Sequence, residues 1–79
     1  GLDSGKTRLT IDVADRKGVL RDISTILADL DINIDSMVTI PQPSGAYQII
    51  IRADIADVDT VKDRLMAKGF TVSHVTHLG

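Results

Sequence analysis

The chain has no cysteine and no tryptophan, and only one tyrosine and one phenylalanine among its 79 residues. Without cysteine there is neither a disulfide framework nor a thiolate metal site. The two aromatic residues lie in no basic-aromatic motif, so the chain offers no platform for stacking RNA bases. Charge of one sign is scarce as well: a net −2 is too slight to steer the domain onto nucleic acid or an anionic membrane. No apolar run approaches the ~20 residues that span a bilayer, and no signal-peptide pattern is seen. These absences lead to a single small cytoplasmic domain without metal or cofactor, and without nucleic-acid or membrane partners.

What is present reads as an ordinary globular composition, 43% hydrophobic and 25% charged. Gly1 to Lys6 (GLDSGK) has the make-up of a linker or edge segment. The expectation is therefore a domain, residues 7–76, cut from a longer protein, with a tail at 77–79. Thr7 to Val13 alternates, with Leu9, Ile11 and Val13 on one side and Arg8, Thr10 and Asp12 on the other, as in a half-buried strand. Val19, Leu20, Ile23, Ile26, Leu27 and Leu30 then fall on one helical stripe. Asp15 stands where a cap for the first turn is useful.

Ile34 to Ile40 reads as a second strand, with Ile34, Val38 and Ile40 in phase. The stretch Pro41 to Gly45 (PQPSG) is a turn. Ala46 to Ala53 is a third strand, and Ile49-Ile50-Ile51 makes it apolar on both faces, as suits a central strand or an interface. Asp57 caps a second helix, Val58 to Lys68, and Gly69 ends it in the left-handed conformation. Phe70 to Val75 is the last strand. The order β-α-β-β-α-β predicts an α+β, ferredoxin-like sandwich: a four-stranded antiparallel sheet in the order 4-1-3-2 with both helices on one face.

Fold alone does not give function. Gly18 is the residue that asks for an explanation, because glycine is a poor helix former standing at a helix start. The first turn has unpaired N–H groups and a partly positive end, a natural seat for a carboxylate or phosphate, and glycine lets a ligand approach the backbone. Asp15 suits an ammonium, and Arg16 or Lys17 an anion. Val19 and Leu20 supply an apolar wall, and Asn33 offers both donors and acceptors. The plainer alternative stays open: Gly18 eases a tight corner, Asp15 only caps, and Asn33 only bridges a turn. His74 and His77, three apart on a strand, turn to opposite faces and share no metal. No serine or threonine has a nearby base, so no catalytic dyad is seen.

The stretch from Asp15 to Ile34, "DRKGVLRDISTILADLDINI", resembles the signature of ACT domains, small regulatory modules that commonly sense amino acids. The match is Asp15, Arg16, Gly18, Val19 and Leu20, then Asn33 and Ile34. Lys17 stands where the family usually has proline, which would pre-set the first helical turn. The resemblance implies a non-catalytic module. Its ligand would lie between the first loop and helix of one subunit and the second strand of its neighbour in a homodimer. "LDSGKTRLTIDVADRKGVL" and "AYQIIIRADIADVDTVKDRLMAKGFTV" are further similar to the ACT domain that follows a CBS-domain pair in acetoin utilisation-type proteins. The chain then reads in one of two ways: an allosteric module that binds an amino acid or similar ligand, or a ligand-independent dimerisation module of a larger CBS-type protein.

Overall fold

The computed structural model describes residues 6–15 and 17–78. The alternating first segment forms β1 (Lys6–Val13), and the apolar stripe winds into α1 (Val19–Asp29). β2 (Ile34–Pro41) and β3 (Tyr47–Asp54) make a hairpin, followed by α2 (Val58–Ala67) and β4 (Thr71–His77). The strands pair antiparallel in the order β2-β3-β1-β4, the predicted topology. β4 is longer than expected. Thr76 and His77 pair with Arg8 and Thr7, so both continue the strand, and His77 belongs to the sheet rather than to the tail. Lys6, expected in the leading segment, is the first residue of β1; residues 1–5 lie outside the described part.

The core lies on one face of the sheet. Leu9 and Ile11 of β1, Ile49, Ile51 and Ala53 of β3, Ile23 and Leu27 of α1, and Leu65 of α2 are all fully buried. Leu20 departs from the expected stripe: it is 38% exposed, on the rim of α1 rather than in the core. β2 departs too. The register shifts between Ile34 and Ser36, so Asp35 is an extra residue that reverses the phase of the rest of the strand. Ile34 and Met37 pack on the core, whereas Val38 and Ile40 point to the opposite, open face. The expected in-phase trio of Ile34, Val38 and Ile40 is thus split by one bulge.

Both helices end in the same backbone device. At α2, Gly69 takes φ 93, and the Gly69 and Phe70 N–H groups donate to the Met66 and Leu65 carbonyls at 2.9 Å. At α1 the equivalent position is Asp31, with φ 60 and matching bonds from Asp31 to Ala28 and from Ile32 to Leu27. Asp57 caps α2 as expected: its carboxylate accepts from the Thr60 N–H at 3.1 Å and the Thr60 hydroxyl at 2.7 Å.

Leu27→Ala is expected to cost about 2–5 kcal/mol in denaturant unfolding, and Leu20→Ala less than about 1 kcal/mol, because only the first leaves a cavity. The Asp57 cap gives a pH signature. The Thr60 hydroxyl, then the Thr60 N–H, hold the Asp57 carboxyl below its ordinary 3.8. The cap therefore stabilises fully above that value and fades as the pH falls through the depressed one. Asp57→Ala should lower the melting temperature at neutral pH, and the difference from wild type should close in strong acid.

Candidate functional site

The candidate residues sit on two stretches of chain. The first is the connection from β1 to α1. In it, Gly18 is the N-cap residue of α1, with φ 72 and ψ −3. The Asp22 N–H donates to the Gly18 carbonyl at 3.0 Å, which starts the helix. Among the described residues no side chain caps α1. Asp15, expected to cap it, accepts instead from the Lys17 N–H at 3.0 Å and closes a local turn. Asp15, Lys17 and Gly18 are exposed, Val19 is buried against the core, and Leu20 is half-way out. Val19 thus holds the helix down and leaves Leu20 to line the surface. Arg16 lies outside the described residues.

Gly18 has a conformational reason to be glycine. A φ of +72 lies in the left-handed region, where a Cβ meets its own backbone. Space is not the reason, since a Cβ there would meet only the Arg21 Nη2 at 3.7 Å, an ordinary contact. That neighbour is informative. Arg21, off the apolar stripe of α1, brings its guanidinium beside the mouth of the helix. It is free to swing, being 81% exposed and only loosely paired with Asp22 at 3.7 Å. The signal in the sequence is its place three residues after Gly18, on the same side of the first turn.

The second stretch is the connection from α1 to β2. Asn33 is exposed, its carbonyl accepts from the Asp54 N–H at 3.4 Å, and Ile34 opens β2. A cleft of about 320 Å³ lies alongside, lined by Leu30, Asp31, Ile32, Asp54, Asp57 and Thr60 among others. The start of β2 is pinned by Lys6 Nζ, which reaches Asp35 Oδ2 at 2.6 Å.

The structure does not bring the two stretches together. Val13 and Pro41 both stand level with Tyr47 at one end of the sheet, while Thr7 and Ile34 both stand level with Ala53 at the other. Six strand residues separate these levels, roughly 20 Å. The length of α1 gives a similar figure, about 16 Å. A ligand the size of an amino acid cannot touch both Gly18 and Asn33 of one copy.

The edges of the sheet are β2 and β4. β4 is interrupted in its middle, where the register with β1 shifts between Thr10 and Ile11. β2 is interrupted only at its start, so Ser36 to Pro41 is the longer unbroken edge. Such an edge is open to another strand.

The sequence pattern of the ACT domain matches residues 7–70. Among solved structures, a protein of unknown function from Galdieria sulphuraria superposes with a TM-score of 0.78 at 19% identity, over 95% of this chain and 45% of that one. A formyltetrahydrofolate deformylase from Pseudomonas syringae pv. tomato gives 0.71 at 22% identity, over 90% of this chain and 26% of that one. The prephenate dehydratase of Staphylococcus aureus gives 0.70 at 22%, over 89% and 28%. The chain thus spans less than half the length of each of these. No curated protein matches it.

Gly18→Ala is expected to cost about 1–2 kcal/mol of stability through backbone strain alone, with Gly18→Asn milder, because asparagine tolerates the left-handed region. Denaturant titration of the two variants checks the order. Equal losses would mean that crowding, not conformation, selects glycine.

Proposed function

The chain belongs to the ACT domain family, and from that membership we propose that it is a non-catalytic regulatory module. It binds an amino acid or a similar small ligand at the seam between two copies and so controls an attached domain. The observation that carries this reading is the separation of Gly18 from Asn33 by the length of α1. Pairing two β2 edges antiparallel about a twofold axis sets the partner's Ile34 end beside the first copy's Pro41 end. Pro41 is level with Val13, where the Gly18 connection begins. Two half-sites then form at each seam: the first helical turn with Arg21 and Lys17 for a carboxylate, and the partner's Asn33 for the remaining polar groups.

Regulation arises from this geometry. A ligand that bridges two copies binds the paired arrangement better than the separated one and shifts the equilibrium by that difference. The attached part is proposed to be a CBS-domain pair of the acetoin utilisation type, working in the cytoplasm. Among the described residues no helix is long and apolar enough to cross a membrane. In the deformylase and the dehydratase, too, the matching region is about a quarter of the chain, which supports a module that serves a larger protein.

One observation favours the second reading, a dimerisation module indifferent to small molecules. The Asp15 carboxylate is already engaged by the Lys17 N–H, at the position where the family usually has proline. A thermal-shift screen against the amino acids and common nucleotides separates the two. Ligand at ~100 times its Kd adds ~2.7 kcal/mol, which for a domain of this size is a shift of roughly 10 °C or more. The shift should vanish in Asn33→Ala while the unliganded melting temperature holds. A flat panel from a dimeric protein would leave only the dimerisation module, and a monomer at every concentration would sink both readings.

A further inference from the structure

We propose that the open face of the sheet is a second docking surface, and that its occupant is the same face of another copy. The helices cover only one side of the sheet. On the other, three rows run across the strands. The middle row is Val38, Ile50, Thr10 and His74, placed by the β2–β3, β3–β1 and β1–β4 registers. One row toward the Lys6 end, Arg8 stands directly opposite Arg52. One row toward the Val13 end, Asp12 stands opposite Gln48, with Ile40 beyond.

This arrangement is poorly suited to water alone. Val38 is 51% exposed and Ile40 37%, and both are turned outward by the bulge at Asp35. Two arginines side by side on one face repel each other. Among the described residues neither Arg8 nor Asp12 has an ion-pair partner.

A twofold axis lying in the sheet plane, perpendicular to the strands and along the middle row, resolves each of these features. It sets β1 against β1 of the other copy, antiparallel, with Thr10 facing Thr10. Arg8 of each copy then faces Asp12 of the other, and Arg52 faces Gln48. Val38 and Ile50 meet their own counterparts at the centre. Packed sheets sit ~10 Å apart, a gap that an arginine and an aspartate side chain bridge together. A twofold along the strands, between β1 and β3, would instead set Arg8 of each copy against Arg52 of the other. The charge pattern selects the first axis. Four strands ~4.8 Å apart and about six residues long make a face of roughly 400 Å², about half the ~800 Å² per partner of a standard interface. Association through this face is therefore read at high protein concentration.

Sedimentation velocity from about 10 to about 500 µM tests this on the wild type, Arg8→Asp, Asp12→Arg, and an equimolar mixture of the two variants. Each single reversal places like charges across the axis. It should halve the mass reached by the wild type at the highest concentration, and mixing should restore it, because each variant supplies what the other lacks. Recovery on mixing also shows that both variants are folded. If either reversal gives no cooperative melting transition, Arg8→Gln and Asp12→Asn probe the same contacts, and each should raise the concentration needed for association about tenfold. The proposal is overturned if the wild type never associates, if the variants associate as the wild type does, or if the mixture stays at the lower mass.

Discussion

The structure hangs on the placing of β1 between β3 and β4. The strand is hydrogen-bonded on both sides, and its inward residues Leu9 and Ile11 are completely buried. A one-residue slip of this inner strand would turn its buried side chains to the open face. Every other feature is fixed by reference to it. Its last residue, Val13, releases the turn that ends in Gly18. Its first, Lys6, reaches across β3 to hold Asp35 at the start of β2. Its outward residues, Arg8, Thr10 and Asp12, set the charge order of the open face.

The crossover from β1 to β2 carries the functional consequence. α1 must traverse the sheet to reach the far edge, so the two ends of the family's signature are held apart by the helix that joins them. A stretch continuous in sequence is divided in space. Gly18 is required by the left-handed conformation of its turn, which gives it a structural role in one copy whatever it does in a pair. Among the described residues around it, Arg21 and Lys17 are exposed cations able to meet an anion. Under the proposed assembly, recognition and association are one equilibrium.

Much of the fold is legible in the sequence, and the parts that are not share a cause. Alternation and the helical stripe report which face of an element is apolar, and they locate every strand and helix to within a few residues. They assume an unbroken period. At Asp35 one extra residue reverses β2, and nothing in the composition of that strand marks it, since both phases of Ile34 to Ile40 contain apolar residues. The stop of α1 is hidden for a different reason: the left-handed position is filled by Asp31, where the recognisable signal is glycine, as at Gly69. Asp15 reads as a cap because a cap and a local turn ask for the same side chain two residues apart. The importance of Arg21 depends on where its guanidinium lies, which spacing alone does not fix.

The two proposed contacts between copies are geometrically compatible. Pairing β2 edges antiparallel requires a twofold normal to the sheet, centred on the free edge from Ser36 to Pro41, which places it close to Val38. Stacking the open faces requires a twofold in the plane of the sheet, along the row that contains Val38, Ile50 and Thr10. These axes are perpendicular, and both pass near the level of Val38, so they meet. Perpendicular twofolds that meet generate a third and close the assembly as a D2 tetramer, whereas axes offset along the strand would propagate an open fibre. The bulge at Asp35 is what brings this about. By turning Val38 and Ile40 outward, it supplies the apolar centre of the stacked face. By interrupting pairing only at the start of β2, it leaves the remaining edge unbroken. A single inserted residue thus prepares both surfaces of one strand for association, and the same displacement takes Val38 and Ile40 out of the core.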